Sequence, residues 1–179
     1  MINEQKKEVR GQIREIKKRY LPEQKKAKSE SIFHQVEQMK ELQEAQTIMA
    51  YWSMDDEVYT HDFVLKWYPE KNIVLPSVKG DELELREFKG LDDMLEGAAF
   101  GIKEPRKLYQ EPLERIDLII VPGVAFDKQN NRLGRGKAYY DKLLSKTRAL
   151  KVGVCFDFQL LEQVPADQYD IKMDRVISG

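Results

Sequence analysis

The densest chemistry in the chain lies between Ile116 and Leu144. Arg132, Arg135 and Lys137 alternate with Gly134 and Gly136, and Tyr139, Tyr140 and Asp141 follow at once. Arginine grips phosphate oxygens in a planar fork, and lysine meets them as a mobile point charge. The backbone of Leu133, Gly134, Arg135 and Gly136 precedes a helix-like segment that opens at Ala138. Unpaired N–H groups beside a helix start suit a phosphate. Tyr139 and Tyr140 read as aromatic walls, with a core role for one of them equally open. Asp141, one turn into such a helix, is well placed to hold Mg2+, a hard cation that takes carboxylate, phosphate and water oxygens. The spacing is not that of a Walker A loop. It is not the dinucleotide fingerprint either, since Tyr139 stands where the third glycine belongs. The bland alternative is a glycine turn with solvated basic residues.

The elements around this stretch are those of an α/β domain. Leu118–Val121 is a short apolar run stopped by Pro122 and Gly123, which predicts a buried strand. Upstream, Val9, Ile13, Ile16 and Tyr20 recur at helical spacing and predict a helix over Ile2–Tyr20. Pro22 opens a second helix to about Glu44, with Ile32, Phe33, Val36, Met39 and Leu42 inward. Thr47–Ser53 predicts a strand, Tyr59–Tyr68 a helix, and Asn72–Val78 a strand ended by Pro76. Glu82–Phe88 alternates strictly, as a half-exposed strand near a sheet edge does. Gly90–Glu111 has little periodicity and reads as a functional loop, with closure of Gly97–Gly101 over a ligand left open. Lys151–Phe156 predicts a strand, Gln159–Val164 a short helix, Pro165–Tyr169 a turn and Met173–Ile177 a last strand. The expected fold is a single α/β domain over residues 1–179: a mostly parallel sheet flanked by helices, with two N-terminal helices. In such sheets ligands sit beyond the carboxyl ends of strands. Ser53–Glu57 and Pro122–Gly136 both follow strand ends, which joins them in one cleft.

Composition narrows the function. The net charge of −1 implies no bulk attraction to nucleic acid or membrane. No apolar run reaches the length of a membrane span, and the charged N-terminus has no secretory h-region. Cys155, the only cysteine, lies in the apolar run VGVCF and reads as a small buried residue, in keeping with a reducing cytoplasm. His34 reads as structural and His61 as surface. Asp55 and Asp56 read as solvated or capping.

The segment VPGVAFDKQNNRLGRGKAYYD closely resembles the signature of the 5-formyltetrahydrofolate cyclo-ligases. The likeness extends in family order to KKEVR, YWSMDDEV, GIKEP and DIKMDRV, and so covers the whole chain. Ala138 departs from it, standing where the family usually has glycine. The resemblance implies ATP as co-substrate and Mg2+ as cofactor. It places Lys6, Lys7 and Arg10 on the nucleotide with the Arg132–Tyr140 segment. Glu57 would receive the donor-rich edge of a pterin, with Trp52, Tyr139 and Glu104 as neighbouring contacts. Asp174 would be a second Mg2+-associated carboxylate opposite Asp141. Arg135 or Lys137 would lie nearest the transferred phosphoryl group.

The implied reaction phosphorylates the 5-formyl oxygen from ATP. N10 then attacks the formyl carbon, and phosphate leaves to give the 5,10-methenyl product. No nucleophilic side chain is needed, which fits a sequence without a Ser/His or Cys/His constellation. A monomer acting on small molecules is expected. Two rivals stay open: a related enzyme acting on a sugar phosphate or coenzyme A ester, and a non-catalytic folate- or nucleotide-binding protein.

Overall fold

The computed structural model describes residues 1–97 and 102–179. In chain order the elements are α1 (Ile2–Lys17), α2 (Pro22–Glu37), α3 (Lys40–Glu44), β1 (Thr47–Met49), α4 (His61–Trp67), β2 (Asn72–Lys79) and β3 (Glu82–Glu87). There follow β4 (Met94–Glu96), β5 (Lys103–Pro105), β6 (Lys107–Leu108), β7 (Leu118–Val121), β8 (Ala125–Asp127) and β9 (Arg132–Leu133). The last are α5 (Tyr139–Leu144), β10 (Leu150–Cys155), β11 (Leu160–Leu161) and β12 (Arg175–Ser178). Seven strands form the main sheet in the order β12-β10-β7-β1-β2-β3-β6. The first five run parallel, and β3 and β6 close one edge antiparallel.

Strand periodicity sorts the core into two layers. Leu118 and Ile120 of β7, with Val152 and Val154 of β10, face Ile32, Phe33 and Val36 of α2 and Phe63 and Val64 of α4. Ile119 and Val121 point the other way, to Leu143 and Leu144 of α5 and to Phe126. The Phe126 ring lies against Gly123 and Gly153, where an added Cβ would overlap it. A small sheet, β11-β8-β9, packs below α1 through Ile13, Ala125, Leu133 and Val164.

Several boundaries differ from the sequence reading, each for a local reason. The second helix is two: Met39 is extended at φ −69°, ψ 132°, and Gln43 Nε2 donates to the Glu37 carbonyl across the break. The Thr47–Ser53 run leaves the sheet after Met49, with Ala50 N–H on the Val74 carbonyl as its last bond. Pro76 does not end β2. The even-numbered residues of β2 point to β1, and that pairing has stopped at Val74, so the missing N–H meets no partner. Gly90–Glu111 is not structureless, since β4 and β5 pair as an antiparallel ladder. Closure of Gly97–Gly101 falls largely on residues 98–101, outside the described residues. No helix forms at Gln159–Val164. Gln159 turns inward, accepts from Phe156 N–H at 2.8 Å and donates to the Val124 carbonyl at 2.9 Å, and β11 follows.

Candidate functional site

A cavity of about 980 Å³ opens beyond the carboxyl ends of β1 and β7. Its lining divides by chemistry. Lys6, Arg10, Arg135 and Lys137 bring positive charge, while Tyr51, Trp52, Pro76, Val78, Leu83 and Ile102 bring apolar surface. Glu57 and Asp141 are among the acids.

The basic loop is built from its neighbours. Asp127, fully buried, accepts N–H bonds from Gln129, Asn131 and Val164 and from the Asn131 amide at 2.9–3.0 Å. Burial opposes its charge, but these donors outweigh it and hold the carboxyl below its usual range. That turn fixes β9. Arg132 is buried, donates from Nε to the Pro122 carbonyl at 2.7 Å, and lies over the Tyr140 ring at 5.3 Å. Its Nη1 is 3.8 Å from Asp141 Oδ1. Arg132 therefore serves as a charged floor more than a free fork. From α1, Arg10 Nε donates to the Gly134 carbonyl at 2.8 Å. Gly136 at φ +111° and Ala138 at φ +60° take left-handed turns into α5. The helix spans only Tyr139–Leu144, so the turn's own donors and cations matter more than a helix dipole. Lys137 is exposed and makes no ion pair among the described residues.

Opposite this loop stands the segment after β1. Glu57 is half-buried and accepts from Met54 N–H at 2.8 Å. Burial pushes its carboxyl up. Arg135 Nη2 lies 3.8 Å from Glu57 Oε2 and 3.2 Å from both Asp56 oxygens. Trp52 stacks on His61 with ring centroids 3.7 Å apart and an 8° tilt. His61 is thus not a surface residue. Its Nε2 lies 3.0 Å from the Ser53 carbonyl, so that nitrogen carries the proton, and burial lowers its pKa and keeps it neutral. Tyr140 faces the cavity from the other wall, its phenol pushed up by burial.

Not every expected residue joins the cavity. Lys7 is exposed and outside the lining, because α1 turns Lys6 and Arg10 inward and Lys7 away. Lys6 lines the cavity but is ion-paired with Asp170 at 2.7 Å and Asp167 at 3.1 Å. Burial works against its charge, and these two hydrogen bonds prevail and raise its pKa. Glu104 lies in β5 opposite Leu95 and does not line the cavity, though Ile102 does. Asp174 is also outside. Its carboxylate accepts the Lys151 N–H at 2.8 Å, which fastens β12 to β10. Asp141 faces the cavity and takes the Ile171 N–H on Oδ1 at 3.2 Å, so the structure does not gather Asp141 and Asp174 in one lining. Among the described residues no three His, Cys, Asp or Glu side chains form a metal-holding group. Sequence reasoning missed Asp56, Lys17, Asp167 and Asp170. One signal was present: Lys6, Arg10, Ile13 and Lys17 share one helical face, which is the buried one.

A mostly parallel α/β sheet with a cleft beyond its carboxyl strand ends, where a cationic glycine loop faces a carboxylate and a stacked indole, has the form of a small-molecule enzyme. The sequence model of the 5-formyltetrahydrofolate cyclo-ligase family matches residues 2–179, and the chain belongs to that family. The 5-formyltetrahydrofolate cyclo-ligase of Haemophilus influenzae is 29% identical over 189 residues, covering 100% of both chains. An NMR structure of 5,10-methenyltetrahydrofolate synthetase from Aquifex aeolicus superposes with a TM-score of 0.87 at 34% identity, over 97% of this chain and 89% of that one. A 5,10-methenyltetrahydrofolate synthetase from Mycoplasma pneumoniae shares the fold, with a TM-score of 0.77 at 24% identity over 96% and 97% of the two chains. The protein is a 5-formyltetrahydrofolate cyclo-ligase family enzyme. Among the described residues no helix is long and apolar enough to cross a membrane.

Proposed function

We propose that the chain catalyses the ATP- and Mg2+-dependent conversion of 5-formyltetrahydrofolate to 5,10-methenyltetrahydrofolate, acting as a cytoplasmic monomer. The observation that carries this reading is the 3.8 Å approach of Arg135 to Glu57. A carboxylate suited to the pterin edge and a cation suited to a phosphoryl group stand side by side, as transfer between two bound substrates requires.

The 5-formyl oxygen attacks the γ-phosphorus of ATP and ADP leaves. The N10 lone pair then closes on the formyl carbon, phosphate departs with the former formyl oxygen, and the N10 proton passes to solvent. Glu57 orients the pterin by accepting its ring N–H and amino donors. Trp52, backed by neutral His61, and Tyr139 flank the ring. Arg135 and Lys137 spread the charge that shifts during transfer. Gly134 and Gly136 let the loop backbone approach the phosphates, and Arg10 and Lys6 brace that end of the cavity. Buried Arg132 holds the loop floor. Cys155 takes no part, since its buried thiol is pushed up to about 12. Mg2+, if bound with the nucleotide, would screen phosphate charge. The donor set fits it, because Mg2+ usually takes one or two carboxylates plus phosphate and water oxygens. Asp141, whose Oδ2 has no hydrogen-bond partner among the described residues, would offer it a carboxylate oxygen, and Asp174 does not share the lining.

The test mixes purified protein with 5-formyltetrahydrofolate, ATP and Mg2+ and follows the near-ultraviolet band of the methenyl product. Growth that requires ATP and Mg2+ is expected. A flat trace with folded protein that still binds folate would replace this reading with a non-catalytic binding protein.

A further inference from the structure

The contact between Arg135 and Glu57 depends on a third residue. Asp56 receives Arg135 Nη2 on both carboxylate oxygens at 3.2 Å and stands 3.6 Å from Lys17 Nζ. Lys17 comes from the far end of α1, and its side chain is 10% exposed. Asp56 is therefore gripped from behind by an anchored cation while it holds Arg135 in front. The Arg135 side chain is 50% exposed, and an arginine so exposed samples many rotamers when nothing restrains it. Only Nη2 is engaged with protein among the described residues, so the Nε–H on one side of the guanidinium and the Nη1–H donors at its end are left to donate singly to an oxyanion.

We infer that Asp56, backed by Lys17, is a positioning residue that fixes the Arg135 guanidinium at the junction between the pterin carboxylate and the phosphate loop. One cation then faces both the folate oxygen that is phosphorylated and the phosphoryl group that moves. This role rests on the proposed function, because it acts through Arg135. Asp56 itself needs no contact with either substrate.

A double-substitution cycle tests it. Asp56→Asn keeps the side-chain shape and removes the charge. Misplacing a catalytic group by about an ångström can cost ~10²-fold, so turnover should fall about 10- to 100-fold while KM for ATP and folate stays within roughly threefold. In an Arg135→Ala background the same change should have less than about a twofold effect, because the residue through which it acts is gone. Lys17→Met should give a smaller turnover loss in the parent and none in the Arg135→Ala background, and it stands in if Asp56→Asn does not fold. Equal losses in both backgrounds, or near-normal turnover of the Asn variant, would overturn the role. Absence of turnover in the unmodified protein would instead overturn the proposed function and this role with it, so the two failures are told apart.

Discussion

Arg135 and Glu57 show how much one pair of side chains carries. Their environments differ: Arg135 is half-exposed and Glu57 is sheltered. Replacing Arg135 with Ala removes the cation nearest the proposed transfer, and turnover should fall by two to four orders of magnitude, on the ~10³–10⁵ scale of arginines that stabilise phosphoryl transfer. Single-turnover growth of the methenyl band reads this without interference from product release. Glu57→Gln predicts opposite effects on function and stability. Burial raises the Glu57 carboxyl, so the folded state holds its proton more tightly than the unfolded chain does. Its contribution to stability is fully present below the ordinary carboxylate pKa of about 4.3 and is lost as pH rises through the higher folded value. Gln keeps the acceptor for Met54 N–H and carries no charge. The ligand-free variant should therefore melt higher than the parent at pH 7, and the gap should close near pH 4. Folate binding should weaken at the same time. A variant that melts lower at pH 7 would show that Arg135 and Lys17 already stabilise the Glu57 charge in full.

At the scale of elements, the turn into α5 makes the next prediction. Ala138 sits at φ +60°, where an L side chain costs about 1–2 kcal/mol and glycine costs little. Glycine also adds freedom to the unfolded chain, worth about 0.4–1 kcal/mol. Ala138→Gly should therefore gain up to ~1 kcal/mol, a rise of at most about 2–4 °C in Tm for a chain of this length. Turnover should change little, since no charged group moves. Thermal melts with parallel rate measurements check both. A fall in Tm would mean that the Ala138 methyl packs against something the strain does not outweigh. Elements were legible where pattern and burial coincide: Leu118–Val121, Lys151–Cys155 and the α2 stripe stand where periodicity puts them. They were not legible where tertiary pairing decides. Pro76 continues β2 only because β1 is short, and β4 with β5 pair despite weak periodicity. Residue type and family likeness pointed to the glycine loop and Glu57, and both line the same cavity. Asp174 was misplaced in the cavity because the same carboxylate chemistry serves a strand junction at Lys151. Asp56 looked like a cap because its partners, Lys17 and Arg135, lie far away in sequence.

Across the whole molecule, α1 is the member that ties the site together. Its inward face carries Lys6, Arg10, Ile13 and Lys17, and Val9 and Ile16 of the expected apolar stripe pack partly buried beside Ile13, so apolar side chains and cations share this interface. Lys17 reaches the segment after β1 through Asp56, Arg10 reaches the glycine loop through the Gly134 carbonyl, and Lys6 reaches Asp167 and Asp170 before β12. Three stretches distant in sequence are thereby hung on one rigid rod, and losing one tether should loosen the molecule as well as the site. Lys6→Met keeps the aliphatic stem and removes the charge, leaving two aspartates facing each other. The pairs are part-buried, with side-chain exposures of 11%, 32% and 16% for Lys6, Asp167 and Asp170, so the cost should fall between the ~1 kcal/mol of exposed pairs and the ~3–5 kcal/mol of buried ones. About 2 kcal/mol corresponds to a Tm lower by roughly 4–8 °C at pH 7. The pH dependence identifies the cause. Backbone N–H bonding from Tyr169 and the Lys6 ammonium hold Asp167 below its usual range, so its contribution is present above the unfolded carboxylate pKa of about 3.9 and is lost as pH falls through the lower folded value. The Tm gap between parent and Lys6→Met should accordingly shrink below about pH 4, and Lys6→Met combined with Asp170→Asn should recover part of the loss at pH 7. A gap that stays constant down to pH 3 would assign the loss to packing of the Lys6 stem against the 167–171 segment and not to its charge.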